Sequence, residues 1–361
     1  MNLFTKQIVK IDITTMSIDS FIDFPAPCSN ASEWRPFALK ILNEKMYFGG
    51  VCSGEAGSGE LLGLVYEMDL NGNGLVEVLN FDLAYYRADL NPNGFPCGIW
   101  QPWLDEFLIN PVPGISSPGL ISTFATINTA LCHTQPMLTD IDFTADGDML
   151  VFFTDRFGHQ MGGWNYGPDP TETSTTIYET LAGGDLVRAD FNGSTYTPQW
   201  LNTVNVPPIE YYTGDNYSTI HPETVMGSGA NLYCLDKVMS VALDPVVIYS
   251  GGFLEFNADG TSGKRATIYQ TPLFGQETFG KASGLGEITL MSNPAPIEIG
   301  NRVWFDINKN GEQDAGETGL EGISVELYLN DVLIASTITN TMGEYYFNDA
   351  NVPGGLMVNT E

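Results

Sequence analysis

Four segments of this chain share one pattern: a strand ending in Asp or Asn, a short turn and a second strand. They read IVKIDITTMSIDSFIDF (8–24), VYEMDLNGNGLVEVLNF (65–81), VRADFNGSTYTPQWL (187–201) and FLEFNADGTSGKRATIY (253–269). Their starts lie 57, 122 and 66 residues apart, and the middle spacing is close to two units of 61. A degenerate copy is therefore expected near residues 90–130. A second hairpin precedes two of the four: RPFALKILNEKMYFGGVC (35–52) and PMLTDIDFTADGDMLVFFTDR (136–156). Two hairpins per unit make a four-stranded blade, the repeating element of a β-propeller. The period exceeds the ~40–50 residues of compact propeller repeats, so long loops are expected. Residues 157–182, rich in Gly, Thr and Pro, read as one such insertion.

The turns agree with this reading. Asn73-Gly74, Asp146-Gly147, Asn192-Gly193 and Asp259-Gly260 each sit between alternating apolar runs. Asn, Asp and Gly tolerate the positive φ that tight hairpins require. The expected fold class is all-β: a β-propeller-like domain of about five to seven blades over residues 1–291. The strand around Gly286–Met291 is expected to complete the blade begun by residues 8–24 and close the ring. An irregular β-sandwich or mixed β-domain is the alternative.

A Pro-containing linker, residues 292–296 (Ser-Asn-Pro-Ala-Pro), follows. Two prolines within three residues stiffen a chain and cannot continue a ladder. Beyond it, residues 297–361 resume as strands. Ile323, Val325, Leu327 and Leu329 fall on one face, and Ser324, Glu326, Tyr328 and Asn330 on the other. Val332–Thr339 and Glu344–Phe347 read as further strands. The expected module is a prealbumin/Ig-like β-sandwich, truncated at its C-terminus. Both chain ends read as truncations, since strand-like patterns begin and stop there.

Charge narrows the class of partner. Forty-four acidic residues face fourteen basic ones, a formal net charge of −30. Such a surface repels phosphate backbones and anionic lipid, which excludes nucleic acid as the expected partner, and it attracts divalent cations. The same acidity would also keep an exported protein soluble. No run of about eighteen apolar residues offers a transmembrane helix, and the N-terminal residues carry no signal-peptide pattern. The five cysteines, Cys28, Cys52, Cys97, Cys132 and Cys234, show no Cys-x-x-Cys spacing, against a zinc ribbon or redox motif. Their odd count permits at most two internal disulfides, and buried thiols fit equally well.

Residues 306–317 read DINKNGEQDAGE and match a calcium-loop pattern at every ligand position. Asp306, Asn308 and Asn310 fill positions 1, 3 and 5, and Gly311 makes the sharp turn at 6. Glu312 offers its backbone carbonyl at 7, Asp314 sits at 9, and Glu317 brings a bidentate carboxylate at 12. Ca2+ is a hard cation that takes six to eight oxygens in flexible geometry, and a turn folding alternate residues inward supplies them. Asn at positions 3 and 5 gives oxygens without adding charge. The flanks Ile299–Phe305 and Ile323–Leu329 read as strands, so the ion is expected to stiffen a loop of a sandwich, unlike the helix-flanked EF-hand sensors.

The segment EIGNRVWFDINKNGEQDAGETGLEGISVELY (298–328), followed by GEYYF (343–347), resembles the SdrD B-like domain of bacterial cell-surface adhesins, related to their collagen-binding B-type repeats. The resemblance implies a calcium-bound, rod-forming β-sandwich used as a stalk or spacer, secreted or displayed at the cell surface. It places the ligands on the same Asp306, Asn308, Asn310, Glu312, Asp314 and Glu317. Some relatives carry an internal Lys–Asn cross-link. The only lysine of this module, Lys309, lies inside the loop instead of on a strand, and no such bond is expected.

The larger domain carries no serine flanked by glycines at −2 and +2, no His-Glu-x-x-His, no phosphate loop and no dinucleotide fingerprint. Its best polar cluster is Asp140, Asp142, Asp155, Arg156 and His159, with Glu287 a further candidate, all able to line a propeller channel. A plain Asp–Arg pair closing a strand end is the simpler reading. Asp69-Leu70-Asn71-Gly72-Asn73-Gly74 resembles the start of a second calcium loop. Its position 12 would be Asn80, so a hairpin turn is preferred. The resulting expectation is a non-enzymatic structural or adhesive protein, with an extracellular matrix, glycan or surface-protein ligand. The rivals are a secreted propeller enzyme acting on glycans and a propeller that binds carbohydrate through Trp100, Trp103, Trp164 and Tyr166.

Overall fold

Residues Met149–Asp155 read MLVFFTD, with an apolar side chain at every position from Met149 to Phe153. Successive side chains of a strand point to opposite faces, so this strand must be covered on both. That requirement sets the architecture of the larger part of the molecule. The computed structural model describes residues 1–87, 98–104, 108–110, 120–124, 127–163, 165–166, 173, 175–180, 182–202, 207–217, 221, 223–233, 235–270, 285–290, 298–348, 351–353 and 356. The chain divides into two compact units, the larger holding Met1–Thr144 and Asp148–Leu290, the smaller holding Met291–Glu361.

In the larger unit β1 (Gln7–Asp12) and β2 (Ser17–Asp23) form a hairpin. Strands β3 (Trp34–Leu42), β4 (Lys45–Cys52), β5 (Leu62–Asp69) and β6 (Val76–Asp82) make an antiparallel meander. Next come β7 (Leu108–Asn110), β8 (Leu120–Phe124) and β9 (Ile127–Cys132). A second meander joins β10 (Pro136–Phe143) and β11 (Met149–Asp155) to β14 (Asp185–Phe191) and β15 (Tyr196–Pro198). Between its halves lie helix α1 (Arg156–Met161), β12 (Asn165–Tyr166) and β13 (Ile177–Thr180). Strands β16 (Trp200–Asn202) and β17 (Ile209–Glu210) pair with each other. A third meander follows: β18 (Val225–Leu232), β19 (Lys237–Leu243), β20 (Ser250–Asn257) and β21 (Ser262–Gln270).

The hairpins expected from sequence are thus present, and two pairs of them each combine into a four-stranded sheet. The glycines of the four turns, Gly74, Gly147, Gly193 and Gly260, all have positive φ, at 68°, 87°, 96° and 82°. The third meander carries a first hairpin, β18–β19, that falls outside the repeat pattern.

Alternate residues explain how the sheets stack. Met149, Val151 and Phe153 of β11 pack with Ala38, Tyr47, Val51 and Val65 of the first meander. Leu150 and Phe152, facing the other way, pack with Val225, Val238, Leu254 and Phe256 of the third. The far face of the first meander (Trp34, Phe48, Leu64, Tyr66) is covered by Ile8 and Phe24. Close approach is permitted by glycine where the sheets touch. A Cβ at Gly49 would stand 2.9 Å from the Leu138 side chain, and one at Gly229 would overlap the Phe152 ring.

Three expectations are corrected. Gly286–Leu290 form no strand, and among the described residues β1 pairs with β2 alone, so no ring-closing blade is seen there. The copy expected near residues 90–130 lies partly outside the described residues. Its described part is a mixed sheet in the order β12-β13-β9-β8-β7, where β7 runs parallel to β8 and β13 parallel to β9. A tight-turn meander cannot produce parallel neighbours, which need longer crossovers. The 157–182 segment feeds strands β12 and β13 into this sheet.

Cys28 and Cys52 form a disulfide that ties the loop after β2 to the end of β4. Cys132 is also disulfide-bonded.

In the smaller unit β22 (Ile299–Arg302) pairs with β25 (Glu344–Phe347), and β23 (Ser324–Leu329) with β24 (Val332–Ile338). Val325 and Leu327 pack against a core of Ala335, Phe347 and Val352, and Ser324, Glu326 and Tyr328 are exposed. The alternation read from sequence therefore holds, except that Ile323, just ahead of the strand, is exposed.

The Cys28–Cys52 bond closes a 24-residue separation, which constrains the unfolded chain. The variant Cys28→Ser/Cys52→Ser is expected to lose about 3 kcal/mol of unfolding free energy, measured by urea titration of the full chain.

Candidate functional site

The loop Asp306–Glu317 leaves one strand-like segment and returns beside it. Phe305 N–H donates to the Thr318 carbonyl at 3.0 Å, Leu320 N–H to the Val303 carbonyl at 2.9 Å, and Trp304 bridges Gly319. On this base the side-chain oxygens gather backbone N–H groups. Asp306 accepts from Lys309 N–H (2.6 Å) through one oxygen and from Gly311 N–H (2.8 Å) through the other. Asn308 Oδ1 accepts from Asn310 N–H at 3.0 Å, and Asn310 Oδ1 from Glu312 N–H at 2.8 Å. The winding needs positive φ at Lys309 (61°) and Gly311 (81°), and glycine meets that need without strain.

Asn308 Nδ2 and Asn310 Nδ2 both donate to Asp314 Oδ2, at 2.5 and 3.0 Å, which brings positions 3, 5 and 9 together. Glu317 straddles the loop: Oε1 accepts from Ile307 N–H at 2.8 Å and Oε2 from Asp314 N–H at 3.1 Å. Its side chain is buried, at 8% exposure, whereas the Glu312 side chain is exposed. Asp306, Asn308, Asn310, Asp314 and Glu317 thus form one all-oxygen acceptor set on a single turn. Hard cations prefer such a set.

A second site lies in the larger unit where β3, β10 and β18, the first strands of the three meanders, come together. A cavity of about 570 Å³ is lined there by Phe37, Leu39, Met137 and Met226, with Asp140, His159 and Glu287 as its titratable groups. Asp140 accepts from Ile141 N–H (2.8 Å) and Gly229 N–H (3.2 Å). Burial lifts its pKa to about 6 despite those bonds and the Lys40 charge, and the Glu287 charge adds to the rise. His159 Nε2 lies 2.7 Å from Thr154 Oγ1, and burial lowers its pKa.

The five-residue cluster read from sequence is divided by the fold. Asp140 and His159 reach the cavity. Asp142 instead pairs with Lys40 at 2.8 Å and accepts from Asn231 N–H at 2.8 Å. Asp155 caps α1, accepting from Phe157 N–H at 3.0 Å and Gln135 N–H at 2.9 Å, and burial raises its pKa to about 7. Arg156 lies over the Trp103 ring at 4.4 Å and donates to Gln135 Oε1. Trp100 and Trp103 are buried, at 4% and 9% exposure, so neither offers a stacking surface to carbohydrate. Tyr166 is exposed, and Trp164 lies outside the described residues. Asp69 accepts from Asn71 and Asn73 N–H at 2.8 Å each, capping the β5–β6 hairpin turn.

Nothing in the spacing of Asp185, Glu210 and Glu223 marks them in sequence. Yet these buried side chains place carboxylate oxygens within 4.8 Å of one another.

Comparison with known proteins separates the two units. The smaller one is an SdrD B-like domain. The family match covers residues 297–360. Serine-aspartate repeat-containing protein D of Staphylococcus aureus (strain Newman) is 43% identical to this module over 54 residues, 15% of the chain and 4% of that protein. Relatives that span most of the chain come from Dictyostelium discoideum. Colossin-C is 28% identical over 338 residues, 89% of this chain and 31% of its own length. Colossin-A is 26% identical over 339 residues, 90% of this chain and 3% of its own length. The chain thus spans less than a third of these relatives. Their similarity extends well beyond the SdrD B-like module into the larger unit.

Asp140 is protonated more readily in the folded protein than in the unfolded chain. Its contribution to stability is therefore present below the unfolded pKa of about 4 and is lost as pH rises through about 6. Carboxyl NMR of the full chain is expected to show Asp140 titrating near 6, and Glu287→Gln should move that midpoint downward.

Proposed function

We propose that this chain is an extracellular structural or adhesive protein. Its SdrD B-like module acts as a calcium-stiffened spacer, and its larger unit as a propeller-like recognition domain for a matrix, glycan or surface-protein ligand. The observation that carries the proposal is the loop Asp306–Glu317, with five oxygen-bearing side chains linked by hydrogen bonds within one turn. The side chains of Asp306, Asn308, Asn310, Asp314 and Glu317 and the Glu312 carbonyl would hold the ion. Ca2+ would supply the positive charge that three nearby carboxylates lack, and Glu317 would fasten both ends of the loop. Extracellular modules of this kind bind at about 10⁻⁴–10⁻³ M, suited to extracellular calcium.

Two features support an extracellular setting. The Cys28–Cys52 disulfide belongs to an oxidising compartment. The SdrD B-like match, a domain that the sequence resemblance ties to cell-surface adhesins, points the same way. The propeller reading is supported by three successive four-stranded meanders stacked face to face, with their first strands adjacent.

One observation favours a second reading, a secreted propeller enzyme or carbohydrate binder acting on extracellular glycans. Asp140, Glu287 and His159 share a cavity, and Asp140 is poised near pH 6. Glycan hydrolysis by the full chain that disappears in Asp140→Asn would establish it.

The spacer reading is tested at Lys309, a protease-sensitive reporter inside the loop. Millimolar calcium is expected to slow tryptic cleavage after Lys309 by at least about tenfold, followed by mass spectrometry, since ligand binding suppresses local opening. Asp306→Ala/Glu317→Ala should abolish that protection. Equal cleavage with and without calcium in the unmutated chain would refute the assigned loop.

A further inference from the structure

Away from the SdrD B-like loop, four buried carboxylates meet in the larger unit. Asp185 opens β14, Glu210 ends β17, Asp215 follows in the next loop, and Glu223 precedes β18. Each is at most 2% exposed. Tyr85 Oη donates to Asp185 Oδ2, and Leu186 N–H donates to Oδ1 at 2.6 Å. Trp100 Nε1 in turn donates to Tyr85 Oη at 3.0 Å, fixing the phenol. Glu210 is anchored through its backbone, its N–H donating to the Tyr86 carbonyl at 2.9 Å.

Glu223 is different. It is 1% exposed, and neither of its carboxylate oxygens has a hydrogen-bond partner. One of them nonetheless lies within 4.8 Å of oxygens from both Asp185 and Glu210. A buried carboxylate aimed at two others, with no donor of its own, is a costly arrangement for protein alone. Burial and the neighbouring Asp215 charge push Glu223 well above the ordinary carboxylate range, and burial also raises Asp185.

Arg87 lies beside the group, its guanidinium stacked over Trp100 at 4.0 Å and donating to the Gly183 carbonyl at 3.1 Å. Gly183 makes room for this packing: a Cβ there would stand 2.9 Å from Glu223 Cβ and 3.3 Å from Arg87 Nη1. Oxygens bound to one Ca2+ at ~2.4 Å can be no more than about 4.8 Å apart, twice the bond length. The trio meets that limit.

We propose that Asp185, Glu210 and Glu223 form a buried site for a hard divalent cation, Ca2+ in preference to smaller ions, within the larger unit. All three donors are oxygens, which disfavours thiophilic metals. Asp215 neighbours Glu223, whose pKa its charge raises. The ion would join the start of β14 in the second meander, β17, and the segment entering the third meander. It would add a polar tie to elements that already share the core of Leu186 and Val225.

The test uses the full chain carrying Asp306→Ala/Glu317→Ala, so that the C-terminal loop is disabled. Isothermal titration with CaCl2 and thermal melting are then run with and without a further Glu223→Gln. The loop-disabled chain is expected to bind one Ca2+ and to melt higher in its presence. Glu223→Gln should remove that binding and that shift, while raising the metal-free melting temperature by relieving repulsion. Asp185→Asn, read by the same titration after circular dichroism confirms folding, should likewise abolish binding. A loop-disabled chain that binds no Ca2+, or a folded Glu223→Gln chain that binds it unchanged, overturns the proposal. Loss of the loop's own calcium response leaves these outcomes unaffected, because the loop is disabled in every arm.

Discussion

Strands buried on both faces hold the larger unit together. Met149, Val151 and Phe153 point toward one neighbouring sheet and Leu150 and Phe152 toward the other, so the second meander serves as a shared wall. Burying each such side chain is worth about 1.5–3 kcal/mol relative to leaving it in water. None of that gain is available to an isolated meander. The stack is consequently interdependent, and glycines such as Gly49 and Gly229 occupy places where a larger residue would force sheets apart.

This stacking also positions the polar chemistry. With the sheets face to face, the first strands of the meanders run side by side and enclose the cavity carrying Asp140, His159 and Glu287. Asp140 and Asp142 occupy the same face of β10 and accept N–H groups of Gly229 and Asn231 on β18. Carboxylates that look catalytic in sequence thus stitch neighbouring sheets together. Asp140 does so while facing the cavity, which is why its pKa is raised and not lowered by its hydrogen bonds.

Two kinds of carboxylate cluster coexist. In the SdrD B-like loop the acids fall within one twelve-residue segment and are held by the backbone of their own turn. In the larger unit the acids come from different strands and loops, and Glu223 has no hydrogen-bond donor. The first arrangement is a property of a short peptide. The second exists only because distant elements are pressed together.

That difference governs what was legible in the sequence. The hairpins, their Asn/Asp-Gly turns, the alternation of β23 and the calcium-type loop are local, encoded in periodicity and in residues that tolerate positive φ. The fate of Trp100 and Trp103 was not readable, because an aromatic contributes equally to a core or to an exposed platform. Arg87 and Arg156, many residues away or across a sheet, decided it by stacking on those rings. Nor did the repeat pattern foresee the parallel pairing of β9 with β13, which depends on where a long excursion returns. The sequence by itself determined an all-β chain with an oxygen-rich C-terminal turn, since both follow from interactions within a few residues. Tertiary structure alone decided which cysteines bond, which acids share a cavity and which meet around Glu223, because those pairings depend on the packing of sheets whose mutual order no local pattern records.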